Sequence, residues 1–222
     1  ENRGKNSLLI KLYLCLCILA LCSFRVYATQ LSNEVPVIPN EVYAEVITDS
    51  GEKVQIVGYK VDGTNNRSVY NLNNDIINAG YEFNINAVEN DGELVIQDTV
   101  TDTSYSVTIY LELVIKHKNN FYGDTLYLLN NVNGYWGTIN NTVSVEEAEL
   151  RYGCTGINVT DQVVYTYVDN YFDEDTGFTT YADPVIGRCG ADLYLDMLMG
   201  TTRRWTVHVP FSLYDNGIEW DT

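Results

Sequence analysis

The sequence predicts an all-β protein, mainly antiparallel, with a β-sandwich as its architecture and at most one or two short helices. Apolar residues recur with a period of two through most of the chain after residue 40. Turn residues (Asp, Asn, Gly) separate these segments at intervals of about 8–14 residues. An immunoglobulin-like arrangement fits this architecture, although no Trp lies between Cys154 and Cys189 as it does in antibody domains.

Residues 1–28 are predicted to be a secretory signal peptide. Basic residues precede a 13-residue apolar run that ends at Phe24 and is short for a membrane span. Val26-Tyr27-Ala28 then fits a cleavage site after Ala28. Lipoprotein anchoring at Cys22 is disfavoured, because Leu21 is bulky where such sites carry small residues. We therefore expect a secreted protein without a membrane span after cleavage.

The remainder is predicted to be a short leader followed by one domain. Residues 29–40 contain two of the four prolines and should be extended. Residues 41–222 are predicted to form one β-sandwich domain. Polar stretches near 98–103 and 138–142 leave a division into two β modules as the alternative.

The first part of the domain predicts two strands and one helix. Residues 42–47 and 54–57 alternate apolar and polar side chains on either side of a turn. Residues 71–79 are the best helix candidate, because Asn residues could cap the start and Gly80 stands at the expected C-terminal position.

The clearest strand covers residues 104–117. Six apolar side chains alternate along one face: Tyr105, Val107, Ile109, Leu111, Leu113 and Ile115. A helix would scatter these residues around its axis. Asn119-Asn120 predicts a turn that pairs this strand with residues 122–129 as a hairpin. Asn133-Gly134 predicts a further turn.

The second half repeats this pattern. Residues 163–168 alternate up to an acidic turn at residues 173–177. Residues 191–199 also alternate and are predicted as a strand, with an amphipathic helix as the alternative. Residues 203–209 should pair with that strand.

Cys154 and Cys189 are the cysteines that remain after signal cleavage. In an exported protein they predict one disulfide, which would stabilise the fold by about 4 kcal/mol. Two buried free thiols are the alternative. A redox role is not expected, because no Cys-x-x-Cys spacing is present.

Composition and motifs argue against several functions. The net charge of −17 disfavours nucleic acid as a partner. Neither Gly-x-Ser-x-Gly nor His-Glu-x-x-His occurs, and His117 and His208 are expected to be polar surface residues. The sequence therefore favours a non-enzyme and identifies no catalytic residue.

The sequence also predicts two sites. Asp169, Asp173 and Asp175 offer hard oxygen ligands to Ca²⁺ near a glycine turn, although a solvated turn explains the same residues; no other cofactor is expected. Tyr135 and Trp136 lie between glycines after a turn signal, so a loop could present them to a ligand. Trp136 as a core residue is the alternative.

These observations predict a secreted, non-catalytic module that binds a glycan, the cell wall or an extracellular protein. The first alternative is an assembly subunit that uses exposed strand edges. A wall- or glycan-active hydrolase is the second and is disfavoured.

Overall fold

The computed structural model describes residues 38–61, 75–90, 93–98, 106–139 and 141–216. Eleven strands and no helix form in this part of the chain. The strands are β1 (Glu41–Ile47), β2 (Lys53–Lys60), β3 (Ile76–Asn90), β4 (Glu93–Asp98), β5 (Val107–Asn119), β6 (Thr125–Thr138), β7 (Val143–Cys154), β8 (Val163–Tyr167), β9 (Tyr171–Asp175), β10 (Gly187–Met199) and β11 (Arg203–Asn216). The predicted all-β, antiparallel class is confirmed.

The strands form one antiparallel sheet in the order β8-β7-β10-β11-β1-β2-β3-β5-β6-β9, with β4 on β3. The sheet curls, because its two end strands, β8 and β9, are joined by residues 168–170. Val168 donates its backbone N–H to Ala148 of β7, and Asn170 accepts from Trp136 of β6. This three-residue connection holds β6 and β7 close together.

The core lies on the inner face of the sheet and follows the period-two pattern. Alternate residues of β5 from Val107 to Ile115 are fully buried, and the intervening residues are half-buried. Leu193 and Leu195 of β10 continue this core, together with Val207 of β11. Apolar burial of this kind is the main stabilising contribution to folding.

The predicted helix at residues 71–79 is wrong from Ile76 onward; residues 71–74 lie outside the described chain. Residues 76–79 begin β3, because Ile77 and Ala79 are buried on the inner face. Gly80 is a strand residue rather than a helix terminator. The Tyr110 hydroxyl lies 2.5 Å from the position that a Cβ of Gly80 would occupy.

The predicted turn at Asn133-Gly134 is also wrong, because both residues lie within β6. A Cβ on Gly134 would lie 2.4 Å from the Tyr110 carbonyl oxygen and 2.6 Å from the Phe172 ring. The glycine thus permits close approach of the neighbouring strands, which is a common reason for glycine within a strand.

Other predicted elements agree with the structure. The hairpin of β5 and β6 pairs Asn119 with Thr125. Residues 191–199 form most of β10, so the strand prediction is confirmed over its helical alternative. The acidic turn at residues 173–177 is corrected in part, since residues 173–175 belong to β9.

The predicted signal peptide and most of the predicted leader lie outside the described residues. Across the described residues, no helix is long and apolar enough to cross a membrane.

Candidate functional site: a row of tyrosines

Six neighbouring strands each place one outward-facing residue on a single line across the sheet. In strand order these are Glu41, Tyr59, Glu82, Tyr110, Tyr135 and Tyr171. Because neighbouring strands lie about 4.8 Å apart, the line extends over about 24 Å. We call its four aromatic members, Tyr59, Tyr110, Tyr135 and Tyr171, the tyrosine row.

Strand alternation places these residues on the outer face. Their sequence neighbours point into the core: Ile109 and Leu111 flank Tyr110, and Trp136 follows Tyr135. Because successive side chains of a strand point to opposite faces, each tyrosine must face outward. The tyrosines therefore cover a face that the core does not use.

Two rings of the row form a stack that lies along the sheet surface. The hydroxyl end of Tyr110 reaches over the backbone of Gly80 on β3. Tyr135 stacks on Tyr110, with ring centroids 5.4 Å apart and ring planes 23° apart. The Tyr135 hydroxyl extends to Glu82, whose Oε2 lies 3.5 Å away. Tyr135 thus stacks on Tyr110 and is itself 38% exposed to solvent.

The remaining members of the row are more exposed. Tyr59 is 48% exposed and Tyr171 is 70% exposed. Beside Tyr135, a Cβ on Gly137 would meet no atom within 4 Å, so the surface next to the stacked ring is open. Three of the four tyrosines in the row, Tyr59, Tyr135 and Tyr171, are therefore accessible.

Carboxylates and amides border the row. Asn84 donates to Glu82 Oε1 over 3.1 Å and accepts from Thr108 over 2.9 Å. Burial, followed by the charge and hydrogen bond of Glu112, raises the pKa of Tyr110. Burial and then Glu82 raise the pKa of Tyr135. Both phenols therefore stay protonated at neutral pH and can donate hydrogen bonds.

The structure separates the two aromatic residues that the sequence grouped. Tyr135 is exposed on β6, but Trp136 points inward, is 8% exposed and packs on Phe172 at a ring distance of 6.2 Å. The predicted loop is wrong, because both residues are part of a strand. Trp136 is a core residue, which is the alternative interpretation of this position from the sequence.

The three predicted calcium ligands do not converge. Asp173 and Asp175 lie on β9, whereas Asp169 precedes that strand. Asp173 accepts a 2.6 Å hydrogen bond from Asn131, and Asp175 accepts the backbone N–H of Gly177. Within the described ranges, no group of three or more His, Cys, Asp or Glu residues could hold a metal ion.

Cys154 and Cys189 are brought together. They are register partners on β7 and β10, fully buried and present as free thiols. Burial, and then the neighbouring Cys154, raise the pKa of the Cys189 thiol far above its usual range. The disulfide stays a prediction, now with both residues at directly opposed positions.

A second polar cluster, which the sequence did not predict, lies on the outer face of β10 and β11. Arg188 binds Asp192 through two hydrogen bonds of 2.6 Å, and His208 Nε2 lies 3.3 Å from the same carboxylate. The His208 ring stacks on Tyr194 at 4.3 Å. Burial opposes ionisation of Asp192, but the bonds from His208 and Arg188 outweigh it, and its pKa is lowered. The Arg188 guanidinium therefore compensates the buried charge of the Asp192 carboxylate.

The sequence pattern predicts many tyrosines opposite apolar residues, and its glycine signals favour Tyr135 alone among the four tyrosines of the row. Tyr59, Tyr110 and Tyr171 carry the same period-two signal as many other tyrosines. Strand pairing aligns them, and pairing is not visible in single-strand patterns.

Comparison of the chain with protein-family models, with curated proteins and with solved structures finds no match in any of the three.

The tyrosine row therefore offers a flat apolar ring, neighbouring hydrogen-bond acceptors and open access. Neither histidine of the chain belongs to it. This arrangement is suited to binding a ligand that has both apolar faces and hydroxyl groups.

Proposed function

We propose that the protein is a secreted, non-catalytic binding module whose tyrosine row binds the sugar rings of an extended polysaccharide. The observation that carries the proposal is Tyr135, which stacks on Tyr110 and is still 38% exposed to solvent. A pyranose ring presents a face of C–H groups that packs on such a ring, and aromatic contacts of this kind contribute strongly to binding.

The stack is preorganised for this contact. Tyr110 is held between Gly80 and Tyr135, and the Tyr135 hydroxyl contacts Glu82. A side chain that is already ordered loses less conformational entropy when a ligand binds. Affinity is then determined mainly by the contact itself.

The length of the row favours a polymer over a single sugar. Tyr59 and Tyr171 lie on either side of the stack, on the same line about 24 Å long. Several weak contacts to linked sugars raise the overall affinity through effective concentration. Beside the stack, the Glu82 carboxylate can accept hydrogen bonds from sugar hydroxyl groups, and the Asn84 amide can donate to them.

The test is retention of the protein on insoluble polysaccharides and bacterial cell walls. Tyr135→Ala should weaken binding at least about tenfold, as expected for an aromatic hot spot. Tyr167→Ala is the matched control, because Tyr167 is 70% exposed but lies on β8, outside the row. Thermal unfolding verifies that both variants are folded.

Loss of retention in Tyr135→Ala but not in Tyr167→Ala would support the proposal. No retention of the wild type on any matrix would refute it, as would equal retention of wild type and Tyr135→Ala.

A further inference from the structure

The carboxylates that border the tyrosine row point to the charge of its ligand. Glu41 and Glu82 lie in the line of the row, and Glu112 lies beside Tyr110. Each accepts a hydrogen bond from a neutral donor. Glu41 accepts from Tyr43 over 3.1 Å, and Glu82 accepts from Asn84.

No ion pair within the described ranges includes any of these three carboxylates; the ion pairs there involve other acids. On β5 the nearest outward lysine is Lys116, six residues and therefore about 20 Å from Tyr110. On β2, Lys60 directly follows Tyr59, but strand alternation places it on the opposite face, in register with the buried Tyr81. The net charge of −17 adds to the negative potential at the row.

Anionic, neutral and cationic polymers interact differently with this negative potential. An anionic polymer would be repelled by like charges. A neutral polymer lying on the row would partly desolvate Glu41, Glu82 and Glu112 and offer them only hydrogen bonds from hydroxyl groups, which compensate a negative charge less than a cation does. A protonated amine would compensate them through charge-assisted hydrogen bonds and would also be attracted to the faces of the tyrosine rings.

We infer that the ligand of the tyrosine row is an amino-sugar polymer with free, protonated amines. This inference rests on the proposed function and specifies its substrate class. The sugar rings stack on Tyr135, and their amines bind the carboxylates of Glu82 and Glu112.

The experiment compares two soluble oligomers of equal length at acidic pH: β-linked glucosamine and its fully N-acetylated form. Calorimetric titration should show at least tenfold tighter binding of the amine form. Added NaCl should reduce this preference, because it screens exposed charges. Glu82→Gln/Glu112→Gln should remove the preference, because it weakens binding of the amine form more than binding of the acetylated form.

A control variant separates a local effect from the overall charge. Glu52→Gln/Glu147→Gln also removes two negative charges, but from exposed positions outside the row. This variant should keep the preference for the amine form. Tyr135→Ala should weaken binding of both oligomers.

The outcomes are distinguishable. Equal affinity of the wild type for both oligomers would refute the amino-sugar inference and leave the polysaccharide-binding proposal standing. A preference that persists in Glu82→Gln/Glu112→Gln, or that is lost equally in the control, would refute it as non-specific charge attraction. Binding of neither oligomer would refute the inference; if no other polysaccharide is retained either, the proposed function fails with it.

Discussion

Gly134 shows how a single residue controls the approach of two strands. Its missing side chain leaves room for the Tyr110 backbone and for the Phe172 ring. Gly134→Ala should therefore lower the free energy of unfolding by about 2 kcal/mol, since overpacking forces neighbours to shift. Denaturation in urea measures this change.

Gly137→Ala is the matched control for this prediction. Gly137 lies on the same strand, but a Cβ there would meet open space, so we expect little change in stability. Equal destabilisation by the two substitutions would contradict the packing role of Gly134.

The buried pair of Arg188 and Asp192 predicts a pH-dependent stability. Asp192→Asn should cost about 3 kcal/mol at neutral pH, because it removes the carboxylate that binds the buried Arg188 guanidinium through two hydrogen bonds and leaves the more distant, exposed Asp215 as an anionic partner. The folded pKa of Asp192 is lowered, so its contribution is complete above the unfolded pKa of about 3.9 and is lost as pH falls through the folded value. The difference in stability between wild type and variant should therefore narrow below about pH 4.

Urea denaturation at several pH values tests this prediction. Asp196→Asn is the control, because Asp196 lies four residues further along β10, on the same outer face, and is exposed. If the difference in unfolding free energy between wild type and Asp192→Asn stays constant down to pH 3, the lowered pKa of Asp192 is contradicted.

Sequence patterns distinguish inward-facing from outward-facing residues well, but they do not show which exposed side chains contact one another. Trp136 and Tyr135 were grouped because glycines flank them, yet alternation sends them to opposite faces. The glycine signal had a different cause, namely close strand approach at Gly134. Asp192 could not be distinguished from other acids, since its partners come from a residue four positions away and from another strand.

The connection of β8 to β9 is fixed by backbone hydrogen bonds at both of its ends. Residues 168–170 pair with β7 at one end and with β6 at the other. Inserting Gly-Gly between Asp169 and Asn170 should slacken both attachments and lower Tm by several degrees, since 1 kcal/mol corresponds to about 2–4 °C at this size. Differential scanning calorimetry measures the shift.

The same insertion between Tyr122 and Gly123 serves as its control. These residues are exposed in the turn that joins β5 to β6, and a longer hairpin loop costs little entropy. If the turn insertion lowers Tm as much as the insertion after Asp169, the connection has no special role.

Strand elements were largely predictable because burial follows a period of two in β5 and β10. The helix expected at residues 71–79 failed for a definable reason. Its cap and glycine signals are local, whereas Ile77 and Ala79 gain their burial by pairing with β5. Long-range pairing overrode local propensity, as is common for strands.

The whole molecule is strongly acidic, with 30 acids against 13 lysines and arginines. Repulsion among these charges opposes the compact state. Raising NaCl from about 0.01 to 0.15 M shortens the Debye length from about 30 to 8 Å, so Tm should rise. Glu52→Gln/Glu147→Gln should show a smaller rise, and a Tm that falls with salt would contradict this account.

Strand order was the part of the fold that the sequence did not predict. β1 pairs with β11, and β9 pairs with β6 although β7 and β8 intervene in the chain. Such partners are chosen by total burial over the whole sheet, not by any segment alone. The tyrosine row depends on this order, and for that reason it was not recognisable from the sequence.

The pairing of β1 with β11 has a mechanical consequence. The two strands are antiparallel, so Glu41 and Asn216 lie at the same end of the sheet. Tension that pulls these two residues apart would peel β1 from β11, breaking the hydrogen bonds one after another and not all at once. The protein should therefore yield at low force when it is stretched between these strands, as single-molecule pulling would measure.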